Sequence, residues 1–251
     1  MPDGYVRGMP RVTPRVGGGG GVTPPDRIWT PPGGEIIQDE FDDASIDPAW
    51  TRVDKSSSTY VTWTEAGGVM SQFHTSSASA GGAMHALMRP LPGGTTFPVT
   101  VEIYSHGTIL RNANYLMMGA CFSDGLSLSG TNQLVTMPYC NSSSELSMYM
   151  DLRSGNGYGV DVQEVAGGLY GHMMIGLYQQ LQWTATNTFV YRWSSDGVNW
   201  LSAGSATAQA CTPTHVGIWG SNWAGAYATQ LGFEYFRVYA SDDPAGDVDT
   251  L

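Results

Sequence analysis

Four side chains suited to ligand binding stand close together in the Gly-rich stretch GIWGSNWAGAY, residues 217–227. They are Trp219, Asn222, Trp223 and Tyr227. Trp and Tyr rings combine an apolar face with a polar edge, which suits sugar rings, and an amide offers hydrogen-bond donors and acceptors to hydroxyl groups. This stretch is therefore the candidate glycan-binding site. The alternative is that Trp219 ends a strand in the core and Trp223 caps it.

The other residues that could perform chemistry are dispersed along the chain. The five histidines are scattered among predicted strands, and there is no Gly-x-Ser-x-Gly turn of the kind that exposes a catalytic serine. Cys121, Cys140 and Cys211 lack the spacing of a zinc site or of a disulfide scaffold. We expect buried free thiols, no catalytic residues and no organic cofactor.

Charge is unevenly distributed between the two ends of the chain. Residues 1–34 hold four arginines against two aspartates, a net charge of +2, whereas the remainder holds 7 basic and 20 acidic residues, a net charge of −13. An acidic body disfavours nucleic acid and anionic membranes. No apolar run approaches the ~18 residues of a transmembrane helix, and the start, MPDGYVRGMPRVTPR, has no apolar signal-peptide region. We expect no nucleic-acid binding, no membrane insertion, no signal peptide and assembly in a reducing cytoplasm.

Residues 1–34 have the composition of an arm rather than of a folded domain. Five consecutive glycines, Gly17 to Gly21, lie between proline-bearing segments, so the stretch combines flexible and extended chain. Such a segment orders when it binds something. We expect it to dock on a partner protein through large and basic side chains: Tyr5, Arg7, Arg11, Arg15, Arg27 and Trp29. The alternative is that it lies on its own body.

From Glu35 onward the pattern is typical of antiparallel β-structure. The strongest signal is FVYRWSSDGVNW, residues 189–200, in which two aromatic runs flank Asp196-Gly197 and predict a hairpin. Phe189, Tyr191 and Trp193 alternate and should share one face. Gly67-Gly68 predicts a second hairpin.

Three further patterns complete the β prediction. Val99, Val101 and Ile103 alternate on one face of a strand over residues 98–105. The segment 172–183 has spacing that would allow a short helix, but its glycines favour a strand. The last strand, 231–239, should place Phe233, Tyr235, Arg237 and Tyr239 on one face. About a dozen strands and no convincing helix predict a β-sandwich or barrel.

Three segments carry a family resemblance. DEFDDASIDPAW, YRWSSDGVNW and VGIW…FEYFRVY resemble the opening, hairpin and closing strands of concanavalin A-like lectin/glucanase jelly rolls, and more narrowly of laminin-G-like and glucanase-like accessory domains. The resemblance covers residues 35–241. It implies an all-β, antiparallel two-sheet sandwich in which the first and last strands pair, which would place residues 36–41 beside residues 233–239.

Some relatives of this fold hydrolyse glycosides, a reaction that needs two carboxylates flanking the bond. Their motif, Glu-x-Asp-x-Glu along one strand, is absent from this sequence. Glu35 and Glu40 are predicted to fall on opposite faces. We therefore expect that the protein is not an enzyme.

The resemblance also implies a structural calcium ion, which takes six to eight oxygen ligands. Acidic residues cluster after the first strand and again after the last. If these strands pair, the ligands would be Asp39, Asp42, Asp43 and Asp242. The alternative is a solvated acidic rim.

Together these features predict a non-catalytic structural protein of a bacteriophage virion, either a capsid-decoration or a tail-accessory protein. It would be homo-oligomeric, assembled in the host cytoplasm and bound to other virion proteins through the arm 1–34. The sandwich 35–241 would be displayed, followed by an acidic tail 242–251. The alternative is a carbohydrate-binding module, free or from a larger glycan-active enzyme. The two roles are compatible, since a displayed sandwich can also contact glycans.

Overall fold

The computed structural model describes residues 35–54, 61–75, 84–108, 115–127, 131–140, 145–154, 160–170, 176–207, 209–223 and 229–240. Within these residues the chain forms fifteen β-strands. The strands are β1 (Glu35–Asp39), β2 (Thr51–Asp54), β3 (Val61–Glu65), β4 (Met70–His74), β5 (His85–Pro90), β6 (Val99–Thr108), β7 (Tyr115–Ser123), β8 (Asn132–Cys140), β9 (Glu145–Ser154), β10 (Val160–Tyr170), β11 (Leu177–Ala185), β12 (Thr188–Ser194), β13 (Leu201–Ala206), β14 (His215–Trp223) and β15 (Thr229–Tyr239). None of the described ranges contains a helix that could cross a membrane.

The strands form two antiparallel sheets. Sheet A has eight strands in the order β13-β12-β11-β6-β15-β4-β3, with β1 also paired to β15. Sheet B has seven strands in the order β10-β9-β8-β7-β14-β5-β2. The chain passes repeatedly from one sheet to the other, as in a jelly roll, and the predicted two-sheet sandwich is confirmed.

The core lies between the sheets and follows the period-2 alternation of the strands. Val99, Val101 and Ile103 of β6 are fully buried and face apolar residues of sheet B, such as Val216 and Ile218. This confirms the alternation predicted for β6.

A chain of polar contacts crosses the core at Thr136 and Gln179. Thr136 Oγ1 of sheet B donates to Gln179 Oε1 of sheet A at 2.7 Å, and Gln179 Nε2 donates to Ser105 Oγ at 2.7 Å. Burying a polar group costs free energy unless the group is hydrogen-bonded. The contact therefore fixes how the two sheets are placed relative to each other.

Both predicted hairpins are present. Ala66 and Val69 exchange backbone hydrogen bonds across Gly67-Gly68, and both glycines have positive φ, which glycine adopts at no steric cost. Strands β12 and β13 pair around Gly197, with Phe189 and Tyr191 fully buried and Trp193 packed on the core. The segment 177–183 is the strand β11, as predicted, while 172–175 lie outside the described residues.

The first and last strands pair as the family resemblance implied. In β1 and β15, Glu35 lies opposite Tyr239 and Asp39 lies opposite Phe236.

Cys121 and Cys211 are buried free thiols, as expected.

A β-bulge in β15 corrects one prediction. The register with β6 shifts between Phe233 and Tyr235, and such an insertion changes which residues face the core. Leu231 and Phe233 lie in the core before the bulge, and Phe236 and Val238 lie there after it. Phe233 therefore does not share a face with Tyr235, Arg237 and Tyr239, which lie on the side of sheet A away from the core.

Candidate functional site

The outer face of sheet A, the side away from sheet B, carries a row of polar and aromatic side chains. Because Val101 and Ile103 point into the core, their neighbour Glu102 points outward. Glu102 lies opposite Gln180 of β11 and opposite Arg237 of β15. The bulge in β15 is what brings Arg237 and Tyr235 onto this face.

Glu102 is the centre of a buried hydrogen-bonded group. Gln180 Nε2 donates to Glu102 Oε2 at 2.8 Å, and the Tyr235 hydroxyl donates to Glu102 Oε1 at 2.8 Å. Gln180 is 0% exposed, yet its Oε1 atom has no hydrogen-bond partner. An unsatisfied buried acceptor costs free energy, and its burial keeps this atom out of contact with a ligand on the surface.

Three tyrosines lie beside the Glu102 group. The ring centroids of Tyr104 and Tyr178 are 4.5 Å apart, and those of Tyr178 and Tyr235 are 6.4 Å apart. Tyr104 and Tyr178 are partly exposed. Burial, with smaller contributions from Glu234 and Tyr178, raises the pKa of Tyr104, so its hydroxyl stays protonated at neutral pH. We call Tyr104, Tyr178, Tyr235, Glu102 and Gln180 the tyrosine strip.

The strip is bordered by ion pairs. Arg237 Nε donates to Glu40 Oε1 at 2.7 Å, and the Arg237 guanidinium lies 4.6 Å from the centroid of the Tyr235 ring. Glu35 Oε1 is 3.7 Å from the same Arg237 Nε. Glu35 and Glu40 therefore approach the same guanidinium group, and the prediction that they fall on opposite faces is wrong. The reason is that β1 has a register shift between Glu35 and Ile37.

Two glycines leave space for the tyrosines. A Cβ atom at Gly176 would lie 1.7 Å from the Tyr104 hydroxyl oxygen, and one at Gly197 would lie 3.0 Å from the Tyr178 ring. Any larger residue at Gly176 would displace the Tyr104 ring. Gly197, which also has a φ of 74°, places the β12–β13 loop over Tyr178.

Trp219, which belongs to the glycan site predicted at residues 217–227, is not accessible to a glycan. This side chain is 0% exposed, and its indole Nε1 donates to the backbone oxygen of Thr136 at 2.9 Å. Trp219 points away from the interior on sheet B, beside Met117 and Cys121. Asn222 and Trp223 are the last two residues of β14, and the structure describes their backbone but not their side chains. Tyr227 lies outside the described residues.

The aspartates at the end of β1 and in the loop after it accept hydrogen bonds mainly from that loop. Asp39 accepts hydrogen bonds from Trp50 Nε1 at 2.7 Å and from Phe41 N, and Asp43 accepts from Ser45 N. Arg89 adds ion pairs to Asp39 at 3.6 Å and to Asp47 at 3.2 Å.

An open cavity of about 270 Å³ lies among these side chains. In the part of the chain that the structure describes, no group of three or more His, Cys, Asp or Glu residues is arranged to hold a metal ion. Asp39, Asp42 and Asp43 form no such group among themselves, and calcium binding together with Asp242 stays a prediction. Asp242 lies outside the described residues.

The predicted partner-binding arm lies outside the described residues as a whole. This applies to Tyr5, Arg7, Arg11, Arg15, Arg27 and Trp29. Docking through these side chains stays a prediction.

The tyrosine strip was missed at the sequence level. Glu102 and Tyr104 lie between the apolar residues that predicted β6, and the same period that sends Val101 and Ile103 inward sends them outward. That alternation was the available signal. It could not show that β11 and β15 flank β6, which is what assembles the strip.

Comparisons with known proteins show the fold. No family model and no curated protein matches the chain. Among solved structures it resembles a protein described under endo-acting O-glycanases of the human gut microbiota (TM-score 0.58, 10% identity, 83% of this chain and 100% of that chain). It also resembles the potassium-bound carbohydrate recognition domain of Emp46p (TM-score 0.53, 13% identity, 81% and 95%).

A third likeness is to the GH43 protein BlXynB from Bacillus licheniformis, with a TM-score of 0.56 and 14% identity over 81% of this chain. Our chain spans only 39% of the length of that protein. All these identities are low and establish the fold alone. With the strand order, they show a concanavalin A-like jelly roll of the lectin and glucanase type.

Proposed function

We propose that this chain binds an uncharged glycan, without cleaving it, through the tyrosine strip on the outer face of sheet A. The observation that carries the proposal is the pair of partly exposed rings, Tyr104 and Tyr178, whose centroids are 4.5 Å apart on this face. Sugar rings stack their C–H faces on aromatic side chains and direct hydroxyl groups at neighbouring acceptors. The strip offers both at one place.

An uncharged ligand fits the electrostatics. The carboxylate of Glu102 lies at the centre of the strip, and residues 35–251 carry a net charge of −13. An acidic sugar would be repelled by both. Hydroxyl groups, in contrast, can pair with the hydroxyl groups of the partly exposed Tyr104 and Tyr178.

Binding without catalysis follows from how the carboxylates are held. Hydrolysis uses one carboxyl group as acid and a second as base or nucleophile across the bond. Both Glu102 oxygens accept hydrogen bonds from uncharged groups, and Glu40 is paired with Arg237. The proposal therefore assigns Glu102 to orienting Gln180 and Tyr235 rather than to chemistry.

The test begins with an array of neutral and acidic oligosaccharides, followed by calorimetric titration of the best neutral ligand. Tyr178→Ala should weaken binding at least tenfold, while Phe73→Ala should leave it unchanged. Phe73 is a matched control because it is an exposed aromatic residue of β4 in the same sheet. Unchanged affinity in Tyr178→Ala, or loss only in Trp223→Ala, would refute the strip. Release of reducing ends during the titration would refute the non-catalytic role.

The finer role, as a bacteriophage virion protein, is a second proposal supported by the composition of residues 1–34. A Gly/Pro-rich segment with four arginines suits anchoring on an acidic protein surface. In that role the sandwich would be displayed from a homo-oligomer on the capsid or tail, with the tyrosine strip facing host glycans. Sedimentation with assembled particles should then require residues 1–34. Equal sedimentation of the chain without them would contradict anchoring by the arm.

A further inference from the structure

We propose that residues 1–34 pack, within the same chain, across the outer face of sheet B. This inference is independent of glycan binding by sheet A. It starts from a second apolar cluster that the two-sheet architecture does not explain.

The cluster, which we call the outer patch, lies on the side of sheet B away from sheet A. Along β5, Ala86 and Met88 belong to it, whereas Leu87 between them belongs to the main core. Along β14, Trp219 belongs to it, whereas Ile218 faces the core. The outer patch consists of Val53, Met84, Ala86, Met88, Met117, Cys121, Val135 and Trp219.

The outer patch is buried although no described strand covers it. Its members are between 0% and 7% exposed in a single chain. Every described strand belongs to sheet A or sheet B, so the outer side of sheet B has no third layer among them. Exposed apolar faces of this size are rare in soluble proteins, and Trp219 alone has a large apolar surface to remove from water.

Length selects residues 1–34 as the cover. The outer patch crosses five adjacent strands, β2, β5, β14, β7 and β8, a width of about 19 Å at the usual strand spacing. Extended chain needs about six residues to cross that width. Residues 1–34 are long enough to cross more than once, whereas each internal segment outside the described residues has eight residues or fewer and is tied at both ends.

Composition and charge favour the same segment. Residues 1–34 contain apolar side chains that can fill the outer patch, namely Tyr5, Val6, Val12, Val16, Val22, Ile28 and Trp29. Their net charge of +2 complements the net charge of −13 of the rest. The C-terminal residues 242–251 are less suitable, because they hold four aspartates and no basic residue.

The entry point is also compatible. Residues 1–34 end at Glu35, the first residue of β1. Strand β1 pairs with β15 of sheet A, and its last residue reaches sheet B, because Asp39 Oδ2 is 3.6 Å from Arg89 Nη1 of β5. Glu35 is about 13 Å from Asp39 along the strand, so residues 1–34 start within reach of sheet B. About six extended residues suffice for one crossing, so most of the segment stays available for the particle contact proposed above.

Photo-crosslinking of the full chain tests the placement directly. With p-benzoylphenylalanine in place of Trp29, we expect crosslinks to peptides of β5, β7 or β14 within one chain, unchanged by tenfold dilution. Crosslinks only to sheet A peptides, only between chains, or to no protein peptide would overturn the proposal.

Thiol labelling gives a second readout that leaves the outer patch unmutated. In folded protein the Ile28→Asp/Trp29→Asp double variant should raise the labelling rate of Cys121 at least tenfold, with the site identified by mass spectrometry. Thr62→Asp, an exposed change on β3 of sheet A, is the control and should leave the rate unchanged. Circular dichroism confirms that each variant is folded. An unchanged Cys121 rate in a folded double variant would contradict the proposal.

Discussion

The imidazole ring of His74 packs edge-on against the ring of His85, with the ring centroids 5.6 Å apart. His74 belongs to sheet A and His85 to sheet B, so the pair joins the two sheets at one end of the sandwich. His85 Nδ1 lies 2.8 Å from Asp54 Oδ1, whereas the buried His74 Nε2 has no hydrogen-bond partner. Of the two rings, His74 is therefore the one that is buried with an unpaired ring nitrogen.

Acid should destabilise the fold through His74. Burial, and next the neighbouring His85, lowers the pKa of His74 to about 3. The unfolded chain then binds more protons between pH 6.5 and 3, so stability is lost as the pH falls through that range. His74→Gln should unfold less readily than wild type at pH 4.5 and similarly at pH 7.5 in urea titrations. The control is His215→Gln, a change at a partly exposed histidine, and a larger effect there would contradict the account.

Base should destabilise the fold through Glu65. Burial, followed by the Asp43 carboxyl group and the charge of Asp39, raises the pKa of Glu65 to about 7. The folded state holds this proton more tightly than the unfolded state, so stability is lost as the pH rises from about 4.5 through about 7. Glu65→Gln should raise the midpoint of thermal unfolding at pH 8 and have little effect at pH 4. The control is Glu234→Gln, a change at a partly exposed glutamate, and an equal or larger effect there would contradict the account.

The hydrogen bond between Gln180 and Glu102 should contribute to stability as well as to binding. In Gln180→Leu the buried Glu102 Oε2 loses its donor, and we expect a loss of about 1–3 kcal/mol in the free energy of unfolding. Gln38→Leu makes the same change at an exposed position of β1 and should stay within about 0.5 kcal/mol of wild type. Denaturant titrations compare the two. Equal losses would show that Gln180 has no structural role.

Close packing of sheet B predicts a glycine requirement. A Cβ atom at Gly217 would lie 2.0 Å from the backbone oxygen of Leu87 in the neighbouring strand, whereas one at Gly93 would have no atom within 4 Å. Gly217→Ala should therefore lower the free energy of unfolding by about 1–3 kcal/mol. Gly93→Ala should be near neutral. Similar unfolding midpoints for the two variants would contradict the described packing of β5 against β14.

The sequence predicted the architecture better than the site. Local signals were strong at Gly67-Gly68 and at residues 189–200, and the family resemblance supplied the pairing of β1 with β15. The bulge at Phe233–Tyr235 could not be predicted, because no residue there is restricted to a bulge, and it decides which side chains of β15 reach the outer face. Period alone assigns faces only while the register is unbroken.

The burial of Trp219 could not be predicted for a related reason, while the rest of the predicted glycan site, Asn222, Trp223 and Tyr227, stays a prediction. The high frequency of aromatic residues in 217–227 predicted that Trp219 would be exposed. That frequency does not distinguish an exposed ring from a ring that is buried on the outer face of a sheet, as Trp219 is. The tyrosine strip combines residues from β6, β11 and β15, which are distant in sequence. Only the order of strands in sheet A brings Glu102, Gln180 and Tyr235 together.

The most direct test of the central claim is a crystal structure of the chain with the best-binding neutral oligosaccharide from the array. The account predicts a sugar ring stacked on Tyr178 or Tyr104 and a sugar hydroxyl group hydrogen-bonded to the hydroxyl group of one of these tyrosines. A ligand bound at residues 217–227, or anywhere off the outer face of sheet A, would contradict it.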